Sequence, residues 1–304
     1  MGTPEFAVPS LTALIKSDHS VIGVVTVPDK PSGRGQKLRA SAVKKIALKY
    51  DLPVYQPADL KGEKFLQQMR ALSPDLMVVV AFKILPEILY TIPQHGSINL
   101  HASLLPKYRG AAPIQRAIMA GESETGVTTF FLQPAVDTGD ILVQESISIG
   151  SNESAGSVHD RLAALGARVV VQTVDGITRG TLQPSPQDDT AATPAPKIHR
   201  KDCKIDWARP VKQVHDHIRA LSPYPGAYTN WQHTQLKIFR GVIVDYLEHD
   251  EKPGTVTEIL PEGILVACAS GHYTITRLQP AGKQRMDVAD FVNGYDIIVG
   301  EQFC

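Results

Sequence analysis

The chain has 304 residues, of which 43% are hydrophobic and 20% charged, and its 31 basic residues balance its 31 acidic residues. At roughly 150 residues per domain, this length predicts two domains, each with its own core. The neutral charge excludes a histone-like basic chain and an acidic disordered one, so any contact with nucleic acid has to be local. Neither an apolar run of the roughly 20 residues that span a bilayer nor a signal or transit peptide is seen. We therefore expect a cytoplasmic protein, with an organellar matrix as the open alternative.

Short β-branched runs alternate with helical patterns as far as residue 180. Apolar runs and amphipathic spacing predict strands at 21–27, 76–81, 96–100, 126–132 and 141–149, and helices at 40–50 and 154–178. The continuous apolar strands are typical of a parallel sheet covered by helices on both faces. The predicted class is therefore α/β, with a doubly wound, mostly parallel sheet.

The first residues contain an anomaly. Residues 2–6 form a turn pattern that enters a helix with Val8, Leu11 and Leu14 on its apolar face. In a doubly wound sheet such a turn follows the first strand, yet only Met1 stands before it here. We therefore expect a further apolar strand ahead of Met1.

The composition changes after residue 180. The stretch 180–196 has four prolines and almost no large apolar residue, which is typical of a semi-extended linker. Beyond it, a helix at 211–221 precedes short strands at 227–231, 236–244, 254–259, 263–267 and 273–278, a pattern that predicts a small barrel. The predicted organisation is a catalytic domain at 1–180, a linker at 181–199 and a second domain at 200–304.

Several common site types are absent from the sequence. Cys203, Cys268 and Cys304 form neither a C-x-x-C pair nor an even disulfide set, and no H-E-x-x-H or Cys-His cluster predicts a metal. No G-x-G-x-x-G follows a strand, and Ser103 is not in a G-x-S-x-G turn. These absences argue against a Rossmann dehydrogenase and against a serine hydrolase.

The stretch 96–113 holds the clearest candidate site. Asn99 and His101 lie two residues apart near the carboxyl end of a predicted strand, so their side chains share one face. Ligands bind at that edge of open α/β sheets, and an amide and an imidazole there can stabilise an oxyanion or move a proton. The alternative is that both side chains are satisfied by the backbone of the loop.

A second candidate lies in the turn at 136–140. One of its two carboxylates, Asp137 or Asp140, is expected to form an ordinary Asx turn. Asp137 could instead orient and charge the imidazole of His101, as a buried carboxylate does for a catalytic histidine. The spacing alone leaves both interpretations open.

These blocks carry a resemblance that covers nearly the whole chain. With the stretches 2–6, 29–38, 96–113, 137–142, 205–207, 219–229 and 278–286, the sequence resembles the methionyl-tRNA formyltransferase family of folate-dependent formyltransferases. The resemblance implies an OB-like barrel as the second domain. It also implies formyl transfer from 10-formyltetrahydrofolate to initiator methionyl-tRNA, with no metal, and we expect the chain to act as a monomer.

The resemblance also assigns roles to residues. The catalytic Asn, His and Asp of the family fall on Asn99, His101 and Asp137. The folate donor would lie along a loop that contains four matching positions: Ser103, Leu104, Leu105 and Pro106.

Contacts to tRNA are implied for the basic loop at 29–39, where Arg34 would touch the amino-acceptor end and Lys37 and Arg39 would support it. A solvated loop is the alternative. The 13 basic and 15 acidic residues after position 180 require any binding there to use a local patch.

Three alternatives stay open at this stage. The first is another folate-dependent formyltransferase, acting on glycinamide ribonucleotide or on a sugar, and the second is formyltetrahydrofolate hydrolase; both share the Asn-x-His pair and the distant Asp. The third is a non-catalytic RNA-binding relative. The complete set of Asn99, His101 and Asp137 argues against this third alternative.

Overall fold

The computed structural model describes residues 1–32, 37–244 and 250–304. These residues divide into two compact units. The first comprises Met1–Pro113, Thr125–Ile147 and His159–Ala195, and the second Ile114–Glu124, Ser148–Val158 and Pro196–Cys304. Across the described ranges, every helix is too short or too polar to cross a membrane.

The helices and strands are numbered in chain order. The helices are α1 (Ala7–Ile15), α2 (Ala42–Lys49), α3 (Glu63–Leu72), α4 (Glu87–Tyr90), α5 (Pro113–Met119), α6 (Ala155–Thr178), α7 (Val211–Ala220) and α8 (Val288–Gly294). The strands as far as the second unit are β1 (Val24–Val25), β2 (Lys30–Ser32), β3 (Lys37–Arg39), β4 (Val54–Tyr55), β5 (Met77–Val80), β6 (Ser97–His101), β7 (Arg109–Gly110), β8 (Glu124–Phe131), β9 (Ile141–Ser148) and β10 (Pro194–Ala195). The strands of the second unit are β11 (Ala227–Trp231), β12 (Thr234–Val244), β13 (Val256–Leu260), β14 (Gly263–Ala267), β15 (His272–Pro280) and β16 (Met286–Asp287).

The first unit is built on a four-stranded sheet in the order β5, β6, β8 and β9. β5 and β6 are parallel, whereas β6 and β8 are antiparallel, and β1 and β4 form a separate parallel pair. The predicted strands at 76–81, 96–100, 126–132 and 141–149 and the predicted helices at 40–50 and 154–178 are confirmed to within two residues at each end. The predicted strand at 21–27 is much shorter, because only Val24 and Val25 pair with β4.

A groove lies between β1 and β5. Only Met1 and Gly2 lie in it: the Gly2 N–H donates to Val25 O at 3.0 Å, and the Val80 N–H donates to Met1 O at 2.9 Å. Farther along, the groove is a largely apolar cavity of about 380 Å³. The α-ammonium of Met1 donates to the carbonyl of Val78, and burial lowers its pKa from 8.0 to about 5. The expected strand ahead of Met1 stays a prediction, and this cavity is the place where it can be tested.

Close packing holds β6, the strand with the candidate residues, against helix α6. A Cβ on Gly166 of α6 would lie 2.5 Å from Leu100 Cδ2, so any larger residue there would displace the Leu100 side chain. Beside it, the hydroxyls of Thr129 and Thr173 form a buried hydrogen bond of 2.7 Å between β8 and α6. β6 is therefore fixed on both edges and on one face.

The second unit is an antiparallel sheet in the order β11, β12, β15, β14 and β13, with the short β16 beside β15. The C-terminal residues pair with both ends of this order, since Phe303 bridges Trp231 of β11 and Gln302 bridges Thr255 next to β13. The tail thereby closes the sheet into a barrel around an aromatic core that includes Trp207. The five predicted strands are confirmed, whereas β16 and α8 were not predicted.

Candidate active site

Asn99 and His101 lie on β6 between two partner strands. Asn99 pairs with Val79 of β5 and with Phe130 of β8, and His101 stands two residues farther along the same face. His101 is 6% exposed. The Asn99 side chain is partly exposed and has no hydrogen-bond partner among the described residues. An amide donor is therefore free at the carboxyl end of the strand.

The His101 ring has a different partner on each nitrogen. Its Nε2 lies 2.8 Å from the carbonyl oxygen of Tyr108. Because a carbonyl only accepts, we assign the proton of the neutral ring to Nε2. Its Nδ1 faces Asp137 Oδ2 at 3.7 Å, longer than a hydrogen bond. The carbonyl of Tyr108 thus orients the ring, and the carboxylate stands opposite the free nitrogen.

Asp137 is held by the loop that follows β8. Its φ is +56°, in the left-handed region that most side chains avoid, and its Oδ2 accepts a hydrogen bond of 2.9 Å from the Gly110 N–H. Gly139 makes the close approach behind it, because a Cβ there would lie 1.6 Å from the carbonyl oxygen of Phe131. Of the two carboxylates in this turn, Asp137 is the one that faces His101, whereas Asp140 bonds Phe131 through its backbone carbonyl.

The loop assigned to the folate donor divides into buried and accessible residues. Ser103 is buried, and its hydroxyl donates to the Lys107 carbonyl at 2.6 Å. Leu105 is also buried, and both its N–H and its carbonyl are hydrogen bonded. Leu104 and Pro106 are partly exposed. The apolar surface that the loop offers to a ligand therefore belongs to Leu104 and Pro106, and the other two residues set its shape.

A second apolar surface follows β5. The resemblance to folate-dependent formyltransferases also implies a wall of the folate site at Leu85 and Pro86; Leu85 is 8% exposed and packs in the core. Ile84 and Ile88, its neighbours, are 76% and 49% exposed. The exposed apolar side chains on this segment are thus the two isoleucines, beside a partly exposed Pro86.

Part of the predicted linker packs on the candidate site. β10 pairs in parallel with β7, and the Tyr108 N–H donates to the Thr193 hydroxyl at 2.9 Å. Gln187 donates from its amide to the carbonyls of Asp137 and Gly139. These contacts could not be predicted from the sequence, because apart from Leu182 the stretch 180–196 has only the small, polar and proline residues that are typical of a linker.

The basic loop at 29–39 is a hairpin in which β2 pairs with β3. Arg34 lies outside the described residues, as does the side chain of Lys37, and Arg39 is exposed. At the base of the hairpin, Lys44 Nζ bonds Asp29 Oδ2 at 2.7 Å, and this hydrogen bond lowers the pKa of the carboxyl. The base of the hairpin is thus anchored to α2.

The second unit contains a groove of about 540 Å³ with arginines along it. Arg219 is buried and bonds Asp216 at 2.8 Å, so its charge is neutralised. Arg240, Arg277 and Arg285 line the same groove and are exposed. We name these three residues the arginine rim. They form the local basic patch that the overall charge of this unit does not reveal.

The two halves of the chain match known families. The formyl transferase family matches residues 1–174, and the formyl transferase C-terminal domain matches residues 197–296. The chain therefore belongs to the formyltransferase family. The methionyl-tRNA formyltransferase of Symbiobacterium thermophilum is 47% identical over 100% of this chain and 94% of that protein. The Geobacter metallireducens methionyl-tRNA formyltransferase is 46% identical over 97% and 94%. Within the formyltransferases, the chain thus belongs with the methionyl-tRNA formyltransferases.

Solved structures share the fold at lower identity. An N-formyltransferase from Helicobacter canadensis, in complex with folinic acid and dTDP-3-aminofucose, matches with a TM-score of 0.69 and 20% identity over 94% of this chain and 97% of that one. A sugar 3-N-formyltransferase with dTDP and 5-N-formyl-THF matches with a TM-score of 0.67 and 21% identity, over 93% and 97%. These two similarities establish the architecture of the chain.

Proposed function

We propose that this protein transfers the formyl group of 10-formyltetrahydrofolate to the free amino group of initiator methionyl-tRNA. The observation that carries the proposal is the site on β6, where Asn99 and His101 share a strand face and Asp137 Oδ2 stands 3.7 Å from the imidazole. Identities of 46% and 47% to methionyl-tRNA formyltransferases along the chain support the choice of substrates. The proposed enzyme works as a monomer in the cytoplasm.

The reaction makes one bond and breaks another. The α-amine nitrogen of the methionyl group attacks the formyl carbon, and the bond between that carbon and N10 of the folate then breaks. The amine loses a proton and N10 gains one. Between the two steps, the former carbonyl oxygen carries negative charge and needs hydrogen-bond donors, each worth about 3–4 kcal/mol.

The candidate residues match these needs. The Asn99 amide is free to donate to the oxyanion. Because the Tyr108 carbonyl occupies Nε2 of His101, a second donor has to come from a proton on Nδ1. The gap of 3.7 Å between Nδ1 and Asp137 leaves that proton without a tight acceptor in the protein. Asp137 then stabilises the charged ring and accepts the amine proton, directly or through water.

The folate donor is proposed to lie against the accessible apolar side chains. Leu104 and Pro106 can pack on the pterin from one loop, and Ile84 from the segment after β5. The hydrogen bond of the Ser103 hydroxyl within its own loop keeps the loop in one shape. In this proposal Ser103 and Leu105 serve the donor indirectly, whereas Leu104 and Pro106 touch it.

The tRNA is proposed to meet two basic surfaces. Arg34 and its neighbours in the loop between β2 and β3 contact the amino-acceptor end. The arginine rim of the second unit contacts backbone phosphates, where guanidinium groups bind well. Arg285 is braced for such contact, since its guanidinium lies 3.8 Å from the centre of the Phe239 ring and donates to the Pro223 carbonyl.

Salt dependence tests the arginine rim. We expect the double variant Arg240→Ala and Arg277→Ala to weaken tRNA binding, and to lower the slope of log affinity against log salt by about one for each phosphate that is no longer bound. Lys252→Ala is the matched control, because Lys252 is an exposed cation of the same unit that does not line the groove. Equal slopes for the double variant and the wild type would contradict the role of the rim.

Formylation of charged initiator tRNA tests the catalytic assignment. Asn99→Ala and Asp137→Ala are each expected to lower kcat at least about a hundredfold. The first variant removes a hydrogen-bond donor to the oxyanion, and the second removes the group that accepts the amine proton. Asp140→Asn is the control, since Asp140 lies in the same turn and uses only its backbone there. Near wild-type turnover in Asp137→Ala would refute the role of Asp137. Release of formate without tRNA would instead identify a hydrolase.

A further inference from the structure

Gln187 links the loop after β8, which carries Asp137, to strand β7, whose Gly110 N–H bonds the Asp137 carboxylate. Its amide nitrogen donates to the carbonyl of Asp137 at 3.0 Å and to the carbonyl of Gly139 at 2.8 Å. Its amide oxygen accepts from Arg109 Nε at 3.0 Å and from the Arg109 Nη2 at 2.7 Å. One side chain thus contacts the loop after β8 and the strand β7 together.

The orientation of the Gln187 amide follows from the chemistry of its partners. Arg109 can only donate, and the two carbonyls can only accept, so the oxygen has to face the arginine and the nitrogen the carbonyls. Both hydrogens and both lone pairs of the amide are then in use. No other uncharged side chain of this length can replace all four bonds.

These bonds act where the backbone is strained. Asp137 has a φ of +56°, in the left-handed region that residues with a side chain seldom adopt. Gln187 binds the carbonyl of Asp137 itself. On its other side it holds Arg109, whose neighbour Gly110 donates its N–H to Asp137 Oδ2 at 2.9 Å. Gln187 therefore holds the backbone of Asp137 directly, and it shares with Asp189 the guanidinium of Arg109 on the strand that carries the donor.

We propose that Gln187 is a positioning residue for formyl transfer, which keeps the Asp137 carboxylate opposite Nδ1 of His101. The inference rests on the proposed function, because it assumes that Asp137 takes part in the reaction. Without Gln187, the loop can relax to a negative φ and carry the carboxylate away from the ring. The segment 185–195 of the first unit is then part of the catalytic site.

The first test compares three variants in the whole protein. Gln187→Ala is expected to lower kcat about tenfold or more, while KM for the folate donor and for tRNA changes less than about threefold. Gln187→Glu is expected to be equally impaired, since it keeps the acceptors for Arg109 but turns an oxygen toward two carbonyls. Gln183→Ala is the control, because Gln183 is an exposed residue of the predicted linker that lies just ahead of the segment 185–195. Gln187→Ala with wild-type kcat would overturn the proposal.

The second test is a double-mutant cycle that separates positioning from general stability. If Gln187 acts through Asp137, Gln187→Ala should have no further effect on kcat in an Asp137→Asn background. Additive losses would show that Gln187 works otherwise and would refute the inference. If Asp137→Asn alone leaves formyl transfer intact, the catalytic assignment of Asp137 fails first, and the inference fails with it. Thermal unfolding of each variant verifies that the fold is kept.

Discussion

The groove between β1 and β5 allows a prediction with a calculable size. In this chain, burial lowers the pKa of the Met1 α-ammonium from 8.0 to about 5. We consider two extensions ahead of Met1, one of about five Val and Ile residues and one of equal length made of Gly and Ser. At about 3.3 Å per residue, either extension carries the ammonium some 16 Å away from the carbonyl of Val78.

The buried ammonium has a defined cost. The ammonium has a lower pKa in the folded state, so the unfolded chain binds this proton more tightly than the folded chain does. Protonation of the unfolded chain therefore lowers the free energy of unfolding. No penalty exists above about pH 8. It grows as the pH falls, to about 1.4 kcal/mol at pH 7 and about 4 kcal/mol near pH 5, at about 1.4 kcal/mol per pKa unit. Both extensions should remove this dependence, so stability should fall less between pH 8 and pH 5.

The apolar extension should add a second effect. A strand in this groove is covered on both faces, and each buried Val or Ile contributes about 1.5–3 kcal/mol against about 1.5 kcal/mol for ordering the residue. We therefore expect it to be more stable than the Gly and Ser extension at every pH. His19, Asp75 and His95 also line the cavity, but they are present in both variants and cancel in the comparison.

Hydrogen exchange of peptides from β5 is the suitable assay, because both tryptophans, Trp207 and Trp231, lie in the second unit and report on it alone. We expect β5 to exchange more slowly with the apolar extension than with the polar one. Equal protection in the two variants would refute the idea that the groove accepts a strand. An unchanged pH dependence of stability in the polar variant would refute the assigned burial of the ammonium.

Two further predictions concern single side chains. Gly139→Ala should displace the turn that carries Asp137 and lower formyl transfer at least about tenfold, because a Cβ there would meet the Phe131 carbonyl at 1.6 Å; Gly294→Ala, whose Cβ meets nothing within 4 Å, should leave the formylation rate unchanged. Wild-type formylation by Gly139→Ala would show that the reaction does not need this turn. Asp216→Ala should destabilise the second unit by about 3–5 kcal/mol, since it leaves the buried guanidinium of Arg219 with only the carbonyls of Gly150 and Glu153. Tryptophan fluorescence during urea unfolding measures this destabilisation, and a cost below about 1 kcal/mol would contradict it.

The sequence predicts elements well where burial has one clear period. Strand β5 is a continuous apolar run, and α6 carries an apolar stripe over its whole length, so both are found close to their predicted bounds. Strand β1 is too long in the prediction because only Val24 and Val25 pair with β4, and an apolar run alone does not show how far pairing extends. Helix α3 was missed, although Phe65, Leu66 and Met69 give it a buried face.

The site was predicted in its residue types but not in its geometry. Asn99, His101 and Asp137 could be named from their motifs and from the resemblance, and the structure brings His101 and Asp137 within 3.7 Å. The sequence did not predict that the carbonyl of Tyr108 orients the ring, because every residue has a carbonyl. It also showed no sign of Gln187, whose role depends on a contact across 50 residues of chain.

The most direct test follows a labelled formyl group through a single turnover with 10-formyltetrahydrofolate and initiator methionyl-tRNA. We predict that the wild-type protein places the label on the α-amine of methionine. His101→Ala should do so at least about a hundredfold more slowly, with little change in tRNA affinity. Label recovered as formate whether or not tRNA is present, or His101→Ala at the wild-type rate, would contradict the account.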